Sequence, residues 1–275
     1  MIEELFDIER FANRDSFIHR LDARVKIVVI FAAIVAMVAV PYSTMVFTIG
    51  AIFFIFFIVL WALSRLSPSI YLKRALVIIS LWGIVILFQI FLKNPYYSEY
   101  TTIVILPFGI RIYAESVQFA FILFTKFMVT VSFIILLSST TRLQDLLDGG
   151  QRLGLPADFA LALGMMIRYL FVFGYMYRKV VQTLETKGFD PFDRNLPYRY
   201  RMRQIGYTIG TMFIRSYEQG ERVYISMLCR GYGKKSHLYI RKKSLNTIEW
   251  TFLTVSICFI IIMPVTIWIS HFVLV

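Results

Sequence analysis

The chain has 275 residues, of which 58% are hydrophobic; its mean hydropathy is +0.69 and its formal charge is +12. So apolar a composition excludes an ordinary soluble domain and predicts an all-α integral membrane protein. The charge does not point to nucleic acid, because residues 139–247 hold 18 Lys/Arg against 8 Asp/Glu, so that +10 of the +12 falls in one block between apolar segments. Such a block is first a topology signal and second a contact with anionic membrane lipid.

The first 22 residues mix acids with Arg10, Arg14 and Arg20. They lack the apolar core of a cleavable signal, so the first membrane helix is expected to stay attached. Ser16, His19 and Asp22 lie close in sequence, and a catalytic cluster is one reading of them. The simpler reading is an amphipathic segment at the membrane interface.

Five stretches are predicted to cross the bilayer: 26–40, 45–63, 75–92, 116–138 and 248–272, each near the roughly 20 residues that a spanning helix needs. The first is short and is free to extend toward Ala23 or past Pro41. The flanking segments alternate in charge. The N-terminus is basic, the turn Pro41-Tyr42-Ser43-Thr44 is neutral, Arg65, Lys73 and Arg74 follow, 93–115 is weakly charged, and then comes the basic block. By the positive-inside rule the N-terminus is cytosolic and the C-terminus is outside. Within 93–115, the segment Thr101 to Leu106 is β-rich between two Pro-containing turns and predicts a short hairpin. Lys126 is a lone cation inside the fourth span. It calls for either a partner or the bundle interior.

The block 139–247 reads as helical. Leu143, Leu146 and Leu147 give a short amphipathic helix ending near Gly154, and Pro156 suits the first turn of a helix reaching about 187. Residues 159–177 are apolar enough to resemble a span. However, Arg168 at their centre costs roughly 2.5–3.5 kcal/mol in a bilayer, which favours an amphipathic helix at the inner leaflet. A turn at 190–198 precedes a second long helix over about 199–230. At 1.5 Å per residue each long helix is about 45 Å in length. The small pairs Ala160/Gly164 and Gly206/Gly210 predict close helix approach. The organisation is thus 1–138 with four spans, 139–247 as a cytosolic module, and 248–275 with the last span.

Both long helices end in a basic residue, a glycine and an aromatic residue: Glu185-Thr186-Lys187-Gly188-Phe189 and Leu228-Cys229-Arg230-Gly231-Tyr232-Gly233. Glycine at such a place predicts a left-handed helix stop, and the cation complements the negative end of the helix dipole. The bland reading is a pair of ordinary caps. The sharper one is a matched pair of cations offered to an acidic groove on a partner. Cys229 and Cys258 are expected to be free thiols, and the three histidines have no metal-ligand spacing. No phosphate-binding lysine loop or catalytic metal motif occurs, so a nucleotide would have to be bound by other chains.

The segment Ser16-Phe17-Ile18-His19-Arg20-Leu21-Asp22-Ala23-Arg24-Val25-Lys26, with Asp7 before it, resembles a known family. So do Ser138-Ser139-Thr140-Thr141, Asp145-Leu146-Leu147, Leu153-Gly154-Leu155-Pro156, Arg168-Tyr169 and the two tags. The chain resembles the transmembrane coupling (T) component of energy-coupling-factor transporters, in the CbiQ-like group associated with cobalt and nickel uptake. The resemblance covers nearly the whole chain. It implies a non-catalytic subunit of a prokaryotic plasma-membrane transporter, with two ATP-binding-cassette (ABC) ATPase subunits and a substrate-binding membrane (S) subunit as partners. ATP and Mg would be bound by the ATPases, and no cofactor by this chain. Lys187 and Arg230, with Gly188 and Gly231, would form the two ATPase contacts, flanked by Glu185, Phe189, Cys229 and Tyr232. Phe171, Tyr175, Met212, Phe213 and Met227 would form a sliding surface beneath the S subunit, or else a helix-helix core. Lys187 stands where the family usually has arginine, Ala23 where proline is expected, and Cys229 where alanine is commoner. A self-sufficient carrier or channel, and a membrane-embedded enzyme, are the competing readings.

Overall fold

The structure is a computed structural model and describes residues 16–90, 101–105, 111–189, 196–233 and 245–274. Asp7, the two Pro-containing turns of 93–115 and the middle of the 190–198 turn lie outside them. The described elements are α1 (Phe17–Arg20), α2 (Ala23–Ala39), α3 (Met45–Ser64), α4 (Pro68–Gln89), β1 (Thr102–Ile105), β2 (Arg111–Tyr113), α5 (Ala114–Thr140), α6 (Leu143–Arg152), α7 (Ala157–Thr186), α8 (Tyr198–Cys229) and α9 (Thr247–Leu274). Among the described residues four helices are long and apolar enough to cross a membrane: α3, α5, Asp158–Thr186 of α7 and Thr247–Ile267 of α9. The 17-residue α2 is shorter than these. The protein is therefore a polytopic helical membrane protein with additional helices, and the small sheet among the described residues is the predicted hairpin. There β1 and β2 run antiparallel, with Thr102 opposite Tyr113 and Ile105 opposite Arg111. The Glu115 carboxylate accepts from the Thr101 hydroxyl at 2.7 Å and so ties the hairpin to the first turn of α5.

The chain divides into two compact units, residues 3–154 with 244–275, and residues 155–243. In the first, α5 is the central helix, packed on α2, α3 and α4. Phe53 and Phe57 of α3 meet Phe133 of α5 at 6.4 and 6.1 Å in edge-on pairs, and Phe57 lies 5.2 Å from Tyr71 of α4. Phe53 and Phe133 are fully buried. Tyr71 keeps its hydroxyl satisfied within this apolar layer through Ser132 Oγ at 2.8 Å. An aromatic buried with a polar tip needs such a partner.

The short α2 ends inside the bundle, and both of its ends are held by side chains from elsewhere. A helix leaves its first amides and last carbonyls unpaired, and no water reaches them in an apolar layer. At its C-terminal end Lys126 of α5 donates to the carbonyls of Val38 (3.2 Å) and Val40, and its ammonium lies 4.2 Å from the centre of the Tyr42 ring. Lys126 therefore faces the bundle interior and serves as a helix cap, placed where the α2 dipole is negative. At the N-terminal end Asp22 accepts from the Arg24 amide at 3.1 Å and holds the Arg24 guanidinium at 3.3 Å. The Asp22 amide donates to Glu249 of α9 at 3.0 Å, and Glu249 also accepts from Asn246 at 2.8 Å, closing a capping box on α9. Lys26 ties α1 to the end of α5 by donating to the carbonyls of His19 (3.2 Å) and Thr140 (3.1 Å). Ser16 caps α1 and shares a 2.7 Å hydrogen bond with His19. The residues that could be read as a catalytic cluster thus have capping duties.

The same Asp22 carboxylate receives Arg152 of α6 at 3.5 Å. Gly149 allows α6 to lie this close, because a Cβ there would come within 3.2 Å of the Arg24 backbone nitrogen and 3.1 Å of the Ala23 Cβ. The residues after the fourth predicted span are in this way fastened back onto the start of the first.

Replacing Lys126 by Met is expected to cost about 1–3 kcal/mol, the penalty for buried acceptors left unsatisfied. Thermal unfolding in mild detergent measures it, and unchanged stability would contradict the capping role. A Gly149→Leu variant is expected to lift α6 from α2 and open the Arg152–Asp22 pair. Limited trypsin digestion should then cut after Arg152 faster than in the wild type; equal rates would contradict the close packing.

Candidate functional site

The second unit contains α7 and α8. They approach each other over Met165–Tyr169 and Gln219–Met227, and near the turn the Phe189 ring meets Tyr200 edge-on at 6.3 Å. Pro156 and Pro197 occupy the N-cap positions, and the observed helices, Ala157–Thr186 and Tyr198–Cys229, match the expected ones within two residues.

The two helices stop in the same way. Gly188 has φ +75° and Gly231 φ +82°, the left-handed conformation that an L side chain resists. After α7, Gly188 N–H donates to the Glu185 carbonyl at 2.9 Å and Phe189 N–H to the Leu184 carbonyl at 3.0 Å. After α8, Gly231 N–H donates to Leu228 at 2.9 Å and Tyr232 N–H to Met227 at 3.0 Å. This paired pattern is the Schellman motif. The preceding cap residues share a conformation as well, with Lys187 at φ −86°, ψ 8° and Arg230 at φ −90°, ψ 8°.

This geometry bears on the charge. Backbone amides already satisfy the Leu184, Glu185, Met227 and Leu228 carbonyls that a terminal cation could otherwise serve. Lys187 and Arg230 are exposed, and among the described residues neither side chain makes an ion pair. Dipole complementarity at such exposed ends contributes only about 0.3–1 kcal/mol. Both cations are therefore available to a partner. Glu185 and Cys229 are exposed beside them, while Phe189 is buried and Tyr232 half-buried. Cys229 and Cys258 are free thiols, as expected. Among the described residues no group of His, Cys, Asp or Glu could hold a metal ion.

The apolar residues singled out on the long helices differ in exposure, and Met227 lies where α7 and α8 approach. Tyr175 is 61% and Phe213 70% exposed, whereas Phe171, Met212 and Met227 are half-buried, and α8 buries no residue at all. The close approach expected at the small pairs does not occur within the chain: a Cβ added at Gly164, Gly206 or Gly210 would meet nothing within 4 Å. The helices touch elsewhere, at larger side chains.

One constellation escapes sequence reasoning. Arg168 of α7 and Arg222 of α8 line, together with Arg230, a cleft of about 360 Å³. Arg222 and Arg230 are eight residues apart, about two helical turns along one face, and that spacing is legible in the sequence. The approach of Arg168 is not, because it depends on the register of the hairpin.

The comparisons with known proteins agree with this architecture. The CbiQ family, described as cobalt transport protein, matches residues 14–240. Two uncharacterized proteins of Methanocaldococcus jannaschii are similar to the chain. MJ1571 is 22% identical over 95% of this chain and 87% of its own length, and MJ1089 is 27% identical over 82% and 78%. With the match spanning most of its length and several membrane-length helices in its fold, the chain belongs to the CbiQ family of cobalt transport proteins, transmembrane components of energy-coupling-factor transporters.

Proposed function

We propose that the chain couples ATP hydrolysis by two ABC ATPase subunits to movement of a substrate-binding membrane subunit, for uptake of cobalt or nickel. The observation that carries this reading is the twin Schellman ends, which present Lys187 and Arg230 in one backbone geometry and free both from capping duty. Each ATPase would receive one helix end in an acidic groove. ATP and Mg belong to those subunits; this chain binds no nucleotide and performs no catalysis. Arg230 is the stronger contact, since its planar guanidinium can grip a carboxylate bidentately, and Lys187 offers only a point charge. The exposed surface that includes Tyr175 and Phe213, with Phe171, Met212 and Met227 beside it, would slide beneath the S subunit as the ATPases close.

In this reading α2, α3, α4, α5 and α9 span the membrane, with the N-terminus cytosolic and the C-terminus outside. The helix α7 lies along the inner leaflet, where Arg168 need not cross the apolar layer. A carrier or channel working alone would want an ionisable group on its permeation path. Lys126, the cation that raised that possibility, gives its ammonium to the α2 carbonyls instead.

An Arg230→Ala variant is expected to insert normally and to lose uptake, because truncating a buried charge pair at an interface costs about 2–5 kcal/mol. Metal uptake by cells expressing the complete transporter measures it, and wild-type uptake would refute the proposal. Gly231→Val retains the arginine but strains the left-handed turn by about 1–2 kcal/mol. It is expected to reduce uptake as well, by re-aiming Arg230; full activity would show that charge alone suffices.

A further inference from the structure

The approach of α7 and α8 leaves two clefts that share walls. The first, about 360 Å³, is lined by Arg168, Arg222 and Arg230 with Tyr169, Gln219 and Ser226. No Asp or Glu lines it among the described residues. The second, about 340 Å³, is lined chiefly by apolar and aromatic groups, among them Met166, Phe173, Tyr224 and Tyr232. Met165, Tyr169, Gln219, Val223 and Met227 belong to both. A cluster of guanidiniums thus adjoins an apolar slot across a common wall.

We infer that the paired clefts bind an anionic phospholipid, with its phosphate between Arg168 and Arg222 and acyl carbons in the slot beside Phe173 and Tyr224, while Arg230 at the cleft edge keeps its role toward the ATPase. Three observations select this occupant. Guanidinium forks match phosphate oxygens in both charge and geometry. Arg222 is oriented by Gln219, whose Oε1 accepts from Nη2 at 3.3 Å, leaving its other donors for a ligand. A free phosphate would use the basic cleft and leave the apolar one empty, whereas a phospholipid fills both. The surrounding helix is also suited to lipid, because Asp158–Thr186 is apolar enough for a membrane. The inference rests on Arg168 and Arg222 and leaves Arg230 to the coupling role, so the two can fail separately.

The test is native mass spectrometry of the full chain in detergent, delipidated and then supplied with phosphatidylglycerol, phosphatidylcholine or inorganic phosphate. The variants are Arg168→Gln/Arg222→Gln, with Arg230 left intact, and Arg215→Gln as an exposed control outside the cleft. The wild type and the control are expected to retain phosphatidylglycerol in preference to phosphatidylcholine. The double variant should weaken this by about thirtyfold, since both cations given to the phosphate are then neutral. Arg168→Lys/Arg222→Lys should recover part of the binding, which separates a missing charge from a disturbed fold. Equal retention of both lipids, or no change in the double variant, would overturn the proposal. So would displacement of phosphatidylglycerol by equimolar inorganic phosphate, which would make the cleft a free-anion site. If the double variant keeps the lipid but no longer captures ATPase subunits, the arginines belong to a protein interface and the lipid assignment is wrong.

Discussion

Every helix must dispose of the amides and carbonyls at its ends, and much of this molecule follows from how that requirement is met. In the first unit the ends of α2 are met by charged side chains. Lys126, Asp22 and Glu249 supply the missing partners from α5, from the residue before α2, and from α9. In the second unit the ends of α7 and α8 close on their own backbone through Gly188 and Gly231. The first solution commits charged side chains to the fold. The second leaves them over, and those are the ones available for function.

The contrast explains why similar residues have such different roles. Lys126 and Lys187 are both cations near a helix C-terminus. Lys126 lies in an apolar layer and is committed to carbonyls that nothing else can satisfy. Lys187 follows a helix whose carbonyls are already paired, and it remains exposed. Asp22 is committed in the same way as Lys126. One carboxylate caps α2, pairs with Arg24 and holds Arg152, so the fastening of α6 and the start of α2 share a single anchor.

Much of this is legible in the sequence because the signals are local. Proline at 156 and 197, and glycine at 188 and 231, fix where the long helices begin and end through backbone preferences that need no tertiary context. The strand at Thr102–Ile105 is readable from local β preference, whereas the sequence leaves open at which end the first span extends. What is not legible depends on partners distant in sequence. Lys126 finds Val38 and Val40 from 88 and 86 residues away, and Arg152 finds Asp22 from 130. The small pairs mislead in the opposite way. Glycine permits close approach but does not enforce it, and α7 and α8 meet at methionine, tyrosine and valine instead. The arginine cleft combines both cases, with a readable spacing on α8 and a hairpin register that only the fold supplies.

The central claim is that the two helix ends are docking points for two ATPases. It is tested most directly by purifying the wild type and a Lys187→Ala/Arg230→Ala variant from native membranes in mild detergent and counting the ABC ATPase subunits that accompany each chain. The account predicts two with the wild type and none with the variant. Two with both, or none with the wild type, would contradict it and reduce the tags to helix caps.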